Sequence, residues 1–508
     1  MAESAALGSL ELFSRSDTTL DATALLAAEG TFTFGSLRTA AGRVGSALLG
    51  ESADLAEARV AFLVPPGLRY AAILWGTWAA GGIAVPLATS FPAPELEYVI
   101  GNAGATVLIT STEFRSLLEP IARDRGVPLL DADEIVFQPS GRPPLPNVEP
   151  DRRGLILYTS GSTGPPKGVV WTHDAIESQV RILSEAWGWI PTDRALLVLP
   201  LHHVHGLVNV LTCALWNTAS CEILPEFDAA TTLDRMASGD ITVFMAVPTI
   251  YRRLIGAWEL LDEPNRRRVT EQLSRLRLMV SGSAALPVPT LDRWREVSGH
   301  TLLERYGMTE IGMALSNPYH GHRTPGAVGQ PLPTVELQLV DDDGQLATVG
   351  TPGEIEVRGP SVFREYWQRP DATAEAFRES WFRTGDIAVL EDGVYRILGR
   401  RSVDIIKSGG EKVSALEVED LLRTHPGIGD CAVVGIEDID WGERVVAAVV
   451  PTGDVELELE DIREFARSAL APFKLPRQLF VVEELPRNAL GKVVKPRLKE
   501  MILADSDA

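Results

Sequence analysis

The segment Tyr158-Thr-Ser-Gly-Ser-Thr-Gly-Pro-Pro-Lys-Gly168 gathers four Ser/Thr residues and three glycines around one lysine. Glycines let backbone N–H groups approach an anion closely, and the hydroxyls of Thr159, Ser160, Ser162 and Thr163 add donors. With Gly161, Gly164 and the charge of Lys167, this is the chemistry of a loop that grips a triphosphate. It is not a Walker A loop. Counting from Gly161, the second glycine position is Pro166, and Gly168 follows the lysine where Ser or Thr is required. A second group, Tyr306-Gly-Met-Thr-Glu310, offers a ring to stack on a purine, a hydroxyl for phosphate and a carboxylate for Mg²⁺. A third, Thr384-Gly-Asp386, ends in a carboxylate able to accept two ribose hydroxyls. Taken singly, the trio in the second group is a surface turn and Asp386 a turn aspartate. Lys492 near the C-terminus would be a solvated lysine.

Together these segments resemble the adenylate-forming superfamily of acyl-CoA synthetases, carrier-protein adenylation domains and luciferase-like enzymes. The blocks follow in the family's order from about residue 30 to 498. They are the phosphate loop, Glu304-Arg-Tyr-Gly-Met-Thr-Glu310, Trp381-Phe-Arg-Thr-Gly-Asp386, Gly399-Arg400 with Lys407-Ser-Gly-Gly410, and Pro486-Arg-Asn-Ala-Leu-Gly-Lys492.

The resemblance implies an ATP- and Mg²⁺-dependent acid–thiol ligase. It would make an acyl adenylate with release of pyrophosphate, then the CoA thioester with release of AMP. Lys492, Thr309, Glu310 and His203 become catalytic candidates, with Glu310 and Thr163 at the metal. The nucleotide set comprises the phosphate loop with Gly282, Ser283, Ala284, Glu304, Arg305, Tyr306, Gly307, Met308, Asp386, Ile397 and Arg400. Lys492 would stabilise charge during adenylation, a task of positioned electrostatics. Lys407, Ser408, Gly409 and Gly410 would border the pantetheine channel after a rotation about Arg401 and Ser402. The family's pivot is usually Asp or Lys, so Ser402 departs from the pattern.

For the acid, Pro200-Leu-His-His-Val-His-Gly206 resembles the block that walls the acyl site. PLHHVHG, FMAVPTIY, VSGSAALP and LLERYGMTEIGMALS are similar to malonyl-CoA synthetases, including the mitochondrial type. In that group the arginines matching Arg253 and Arg305 hold the distal carboxylate. His203, Ser281 and Met308 complete the expected acid site. Buried arginines are costly without an anion, although either could instead point outward or pair with an acid.

Other readings stay open. One is a ligase for a specialised monocarboxylate, since the His320–Arg323 loop also departs from a plain malonate enzyme. Others are an enzyme of one half-reaction, a carrier-loading adenylation domain, and a non-catalytic nucleotide-binding regulator. FMAVPTIY lacks the aspartate expected for an aminoacyl substrate.

The elements that must position these residues alternate. Short β-branched runs at 58–65, 82–87, 105–110, 154–159 and 241–248 flank helical stretches such as 68–81, which predicts layered α/β with parallel pairing. Segments 335–345 and 353–360 read as hairpin-type β. The last hundred residues form a separate helix–strand–strand–helix–strand module. The fold class is therefore α/β: a large N-terminal domain, 1–400, of layered subdomains plus a β-rich part, and a small mobile α+β domain, 401–508. The final ADSDA reads as a frayed tail.

The chain has 508 residues and a net charge of −22. Such acidity disfavours nucleic acid and anionic lipid as partners; the partners that the resemblance implies are a small carboxylic acid, ATP and CoA. Cys213, Cys221 and Cys431 show no metal-ligand spacing and read as buried thiols of a cytosol-like compartment. The N-terminus lacks a basic region before an apolar run, which argues against a signal peptide, and a cytoplasmic protein is expected. Two stretches without charge, Tyr70–Pro94 and Ala195–Cys221, contain breakers and read as buried helix followed by buried strand rather than membrane spans. A monomer or homodimer is expected.

Overall fold

The computed structural model describes residues 7–138, 144–159, 165–453, 455–467, 469–487 and 492–506. Among these, the strands form four sheets.

The first sheet has seven strands, in the order Glu365–Tyr366, Lys167–Thr172, Arg153–Thr159, Ile83–Pro86, Arg59–Leu63, Val107–Thr110 and Leu129–Asp131. Its centre is parallel, as the alternation of β-branched runs and helices predicts. The second has nine strands, and its parallel centre includes Arg194–Leu197, Val243–Ala246, Leu278–Ser281 and Leu303–Met308. Amphipathic helices such as His173–Ala186 and Pro248–Glu259 back the sheets with their buried faces, and helix Leu68–Ala79 is buried on nearly every side. Helix Leu68–Ala79 shows how tight this is. A Cβ on Gly76 would lie 2.6 Å from Val44 Cβ and 2.7 Å from Ala41 O of helix Phe34–Leu49.

The charge-free stretch 70–94 forms that helix followed by strand Ile83–Pro86. The second stretch differs in one respect, because strand Arg194–Leu197 opens it. A π-helix His205–Thr212 and a turn of α-helix, Cys213–Trp216, then lead to strand Ser220–Ile223. Among the described residues no helix is long and apolar enough to cross a membrane.

The third sheet is antiparallel. Glu336–Val340 pairs with Gly353–Arg358 in the expected hairpin, and Trp381–Glu391 pairs with Val394–Arg400. The fourth sheet, made of Glu411–Ser414, Ile405–Ser408, Gly442–Pro451, Ile428–Asp438 and Gln478–Val481, has its own apolar clusters. The fold class is thus mixed α/β with a large N-terminal part and a small α+β C-terminal part.

The hairpin Ile405–Ser408/Glu411–Ser414 turns at Gly409 and Gly410, with φ of 62° and 83°. Two consecutive positive φ values explain the glycine pair. The tail reads differently from the sequence. Of the five residues 504–508, Ala504–Ser506 continue helix Lys495–Ser506, which Leu498 and Ile502 anchor by full burial against the fourth sheet, while 507 and 508 lie outside the described residues.

Candidate active site

Strand Leu303–Met308 carries the centre of the site, and its alternation sorts the side chains. Glu304 and Tyr306 share one face while Arg305 lies on the other.

On the first face, the Tyr306 hydroxyl donates to Asp386 Oδ2 at 2.6 Å, and Arg400 Nε donates to Asp386 Oδ1 at 3.0 Å. Glu304 Oε1 accepts the Leu286 N–H at 3.2 Å, while its buried Oε2 has no partner. Burial raises the Glu304 carboxyl to about 8, with Asp420 of the C-terminal part adding to the rise. The strand then turns at Gly307, where a Cβ would lie 2.0 Å from Gly312 O, so this hairpin admits only glycine.

The turn presents Thr309 and Glu310. Thr309 O accepts Trp171 Nε1–H at 2.9 Å. Glu310 Oε1 accepts the Tyr366 hydroxyl at 2.9 Å, and Lys167 Nζ lies 4.0 Å above the Tyr366 ring. Burial pushes the Glu310 carboxyl up, with Arg400 and Lys167 among the groups opposing. A buried carboxylate with raised proton affinity, beside a lysine, suits a hard cation carried by phosphates. Among the described residues no group of three or more His, Cys, Asp or Glu could hold a metal. Glu310 therefore fits Mg²⁺ only together with oxygens of a bound triphosphate. Thr159 ends its strand in register with Lys167. Ser160, Gly161, Ser162, Thr163 and Gly164 lie outside the described residues, so the loop and the Thr163 metal role have no structural reading here.

On the other face, Arg305 is 3% exposed, and its Nε and Nη2 have no hydrogen-bond partner. Burial lowers its pKa to about 9. Beside it, a Cβ on Gly282 would lie 2.5 Å from the Arg305 Cζ. Ser283 holds a left-handed φ of 68°, and its hydroxyl lies 3.2 Å from His205 Nδ1. Strained backbone of this kind gathers at functional sites, as do π-helices such as the one His205 begins. The Ser281 hydroxyl is fully buried and unpartnered. Ala284 is exposed, and Met308 and Ile397 are half-buried against the core.

Lys492 comes from the C-terminal part into this site. Burial lowers its pKa, the Arg400 and Arg305 charges add to the fall, and Asp386 and Asp404 oppose it. His203 is held down to about 4, first by burial and then by Lys492. Its ring packs against that of His202, tilted by 48° with centroids 4.1 Å apart.

The structure does not bring Arg253 to this group. It is the second of two arginines on the outer side of helix Pro248–Glu259, exposed, with its guanidinium 4.7 Å over the Phe227 ring. The buried side of that helix is taken by Tyr251, whose hydroxyl donates to Val280 O at 2.9 Å. Its acid-site role stays an expectation drawn from the resemblance.

Lys407, Ser408, Gly409 and Gly410 face their own module. Lys407 N–H donates to Glu443 Oε2 at 2.7 Å and Gly409 N–H to Trp441 O at 2.8 Å. Arg401 ties the link between the two parts, with Nη1 at 2.7 Å from Asp342 and Nη2 at 3.3 Å from Glu354, while Ser402 is exposed. Sequence reasoning missed Tyr366, which links Lys167 to Glu310. Only the pairing of Tyr366 with Val169 brings it there, and no local signal marks it.

A family model described as AMP-binding enzyme matches residues 12–367, and that of the AMP-binding enzyme C-terminal domain matches 417–492. The chain is 47% identical over 474 residues to the mitochondrial malonate–CoA ligase ACSF3 of Xenopus laevis, covering 87% of this chain and 82% of that one. It is 39% identical over 536 residues to the malonate–CoA ligase of Arabidopsis thaliana, covering 96% and 88%. The crystal structure of ATP-bound MatB from Rhodopseudomonas palustris superposes with a TM-score of 0.89 at 34% identity, covering 96% of this chain and 97% of that one. With the family model spanning most of the chain and relatives of 39–47% identity covered over more than four fifths of their length, the protein belongs to the AMP-binding enzymes.

Proposed function

We propose that this chain is a malonate–CoA ligase. It joins malonate to AMP with release of pyrophosphate, then transfers the malonyl group to CoA with release of AMP. One observation carries the choice of acid. Arg305 is a wholly buried cation with two unpartnered donor nitrogens beside Lys492. An anion that arrives with the substrate stabilises such a charge, and a dicarboxylic acid supplies one beyond the carboxylate that reacts. The names of the Xenopus and Arabidopsis relatives support the same acid.

In this reading Tyr306, Asp386 and Arg400 take the adenosine, with the free Glu304 Oε2 accepting from the base. Lys167 and the loop before it take the phosphates. Glu310, together with oxygens of the bound triphosphate, would hold Mg²⁺, which would supply neutralisation of phosphate charge. Lys492 steadies the charge that develops as the acid attacks the α-phosphate. His203 and His205, kept neutral by burial, wall the acid. Residues 401–508 act as the rotating domain that carries Lys407–Gly410 to the thiol for the second step. Three buried thiols and a soluble-enzyme fold fit a cytosol-like compartment.

The test is acid- and CoA-dependent AMP release with malonate, methylmalonate, acetate, butyrate, octanoate and benzoate. Malonate is expected to lead, and Arg305→Leu should cut its kcat/KM by at least about 30-fold, or about 2 kcal/mol, while sparing butyrate. Wild-type turnover of butyrate equal to malonate would overturn the choice of acid.

A further inference from the structure

Three residues beyond Lys492 stands a second lysine whose surroundings are unlike those of a surface lysine. Lys495 opens the last helix and is 7% exposed. Its ammonium donates to Asp404 Oδ1 at 2.6 Å and contacts Glu419 Oε1 at 2.7 Å. Burial works against its charge, but Glu419 and Asp404 outweigh that and raise its pKa. Glu419 is itself locked, because Oε1 accepts the Val433 N–H at 2.8 Å and Oε2 accepts Arg423 Nη2 at 3.0 Å.

Asp404 is the telling partner. It lies just after Ser402 and reaches back across it. Its Oδ2 accepts the Arg400 N–H at 3.0 Å, and its own N–H donates to Arg400 O at 2.8 Å. A Cβ on Gly399 would lie 2.4 Å from Asp404 Cβ, so that glycine, at φ 127°, makes room for the reversal. Arg400 in turn holds Asp386, which holds Tyr306. One chain of contacts thus runs from Lys495 through Asp404 and Arg400 to the nucleotide side of the site. From Lys495 to Lys492 is a short run of backbone. Val493 bridges to Arg487, and the Val494 N–H donates to Pro486 O at 2.7 Å. Three residues span about 10 Å at most, so fixing Lys495 confines Lys492 to the site.

We propose that Lys495 is a positioning residue for adenylation: through Asp404 it ties the segment that carries Lys492 to the backbone of Arg400 across the pivot, so that the lysine is seated only in the closed setting of the link. The bonds between Lys495, Asp404 and Glu419 lie within the C-terminal module and travel with it. Those between Asp404 and Arg400 span Ser402 and break when it rotates. Lys495 therefore acts on the first half-reaction and not the second. This rests on the ligase reading above.

The experiment compares Lys495→Met, Asp404→Asn and the conservative Lys495→Arg with wild type. Adenylation is read by acid-dependent ATP–pyrophosphate exchange, thiolation by thioester formation from a supplied acyl adenylate and CoA, and folding by the thermal midpoint. Exchange is expected to fall at least about tenfold in Lys495→Met and Asp404→Asn while thiolation stays within about threefold. Lys495→Arg should recover most of the exchange. Should Lys495→Met not fold, Asp404→Asn against Lys495→Arg reads the same split. Parallel loss of both half-reactions, or exchange at the wild-type level in both variants, overturns the proposal alone. A wild-type protein without exchange on any acid overturns the ligase reading and the proposal with it.

Discussion

Arg400 and Asp386 face each other in direct register on adjacent antiparallel strands, joined at 3.0 Å from Nε to Oδ1. The other carboxylate oxygen is held by Tyr306, so a cation and a phenol compete for one acid in a site where a ribose would need it. Asp386→Ala leaves both partners unsatisfied. Its KM for ATP is expected to rise at least about tenfold, because the ribose loses a charged acceptor whose hydrogen bonds are worth about 1.5–3 kcal/mol each. Steady-state kinetics at varied ATP, beside a thermal melt, measure this.

Arg305 and Arg253 look alike in sequence and separate in space. Arg253→Ala should alter the malonate-to-butyrate preference by less than about twofold, since an exposed side chain loses little on truncation. Gly282→Ala should act like a partial loss of Arg305, because its new Cβ would displace the guanidinium now 2.5 Å away. The preference is expected to fall toward butyrate without a drop in thermal midpoint. A competition assay with both acids reads both variants.

Lys492 has a pKa below its ordinary 10.5, chiefly through burial and then through Arg400. Below that lowered value it is charged and can stabilise the adenylation transition state. As pH rises through it the charge is lost. Pyrophosphate exchange should therefore decline on the basic side before pH 10.5, and thiolation should not share that limb. Lys492→Arg should move the decline out of range, whatever its absolute rate.

Glu304 reports on stability. Its folded-state pKa of about 8 lies above the ordinary 4.5, so the folded protein holds a proton that the unfolded chain releases. Its contribution is fully present below about pH 4.5 and is lost as pH rises through about 8. It amounts to at most about 5 kcal/mol on the conversion of pKa units to free energy. Glu304→Gln removes the titration. Its thermal midpoint should fall less between pH 5 and 8.5 than that of wild type.

Much of this site was legible in the chain. Lys167, Tyr306, Thr309, Glu310, Asp386, Arg400 and Lys492 stand in the short blocks that carry the family resemblance, and glycines mark tight turns. Gly307, pressed against Gly312 O, and the pair Gly409-Gly410 at positive φ are such cases. The α/β alternation and the separate C-terminal module follow from hydrophobic period and length, which are local properties.

What the sequence could not decide is direction. Arg253 and Arg305 carry the same charge near the same motifs, yet one is exposed over Phe227 and the other buried without a partner. Only helix and strand phase, set by what each element packs against, separates them. Tyr366 is 56 residues from Glu310 in the chain and 2.9 Å away through its hydroxyl, and Lys495 meets Asp404 across 91 residues. The tail became helix because Leu498 and Ile502 found apolar surface to cover. Residue type and spacing alone determined the chemistry available to this protein. Its aim was settled by long-range packing, since the free energy of burying a charge or a methyl group depends on neighbours that the chain brings together only when folded.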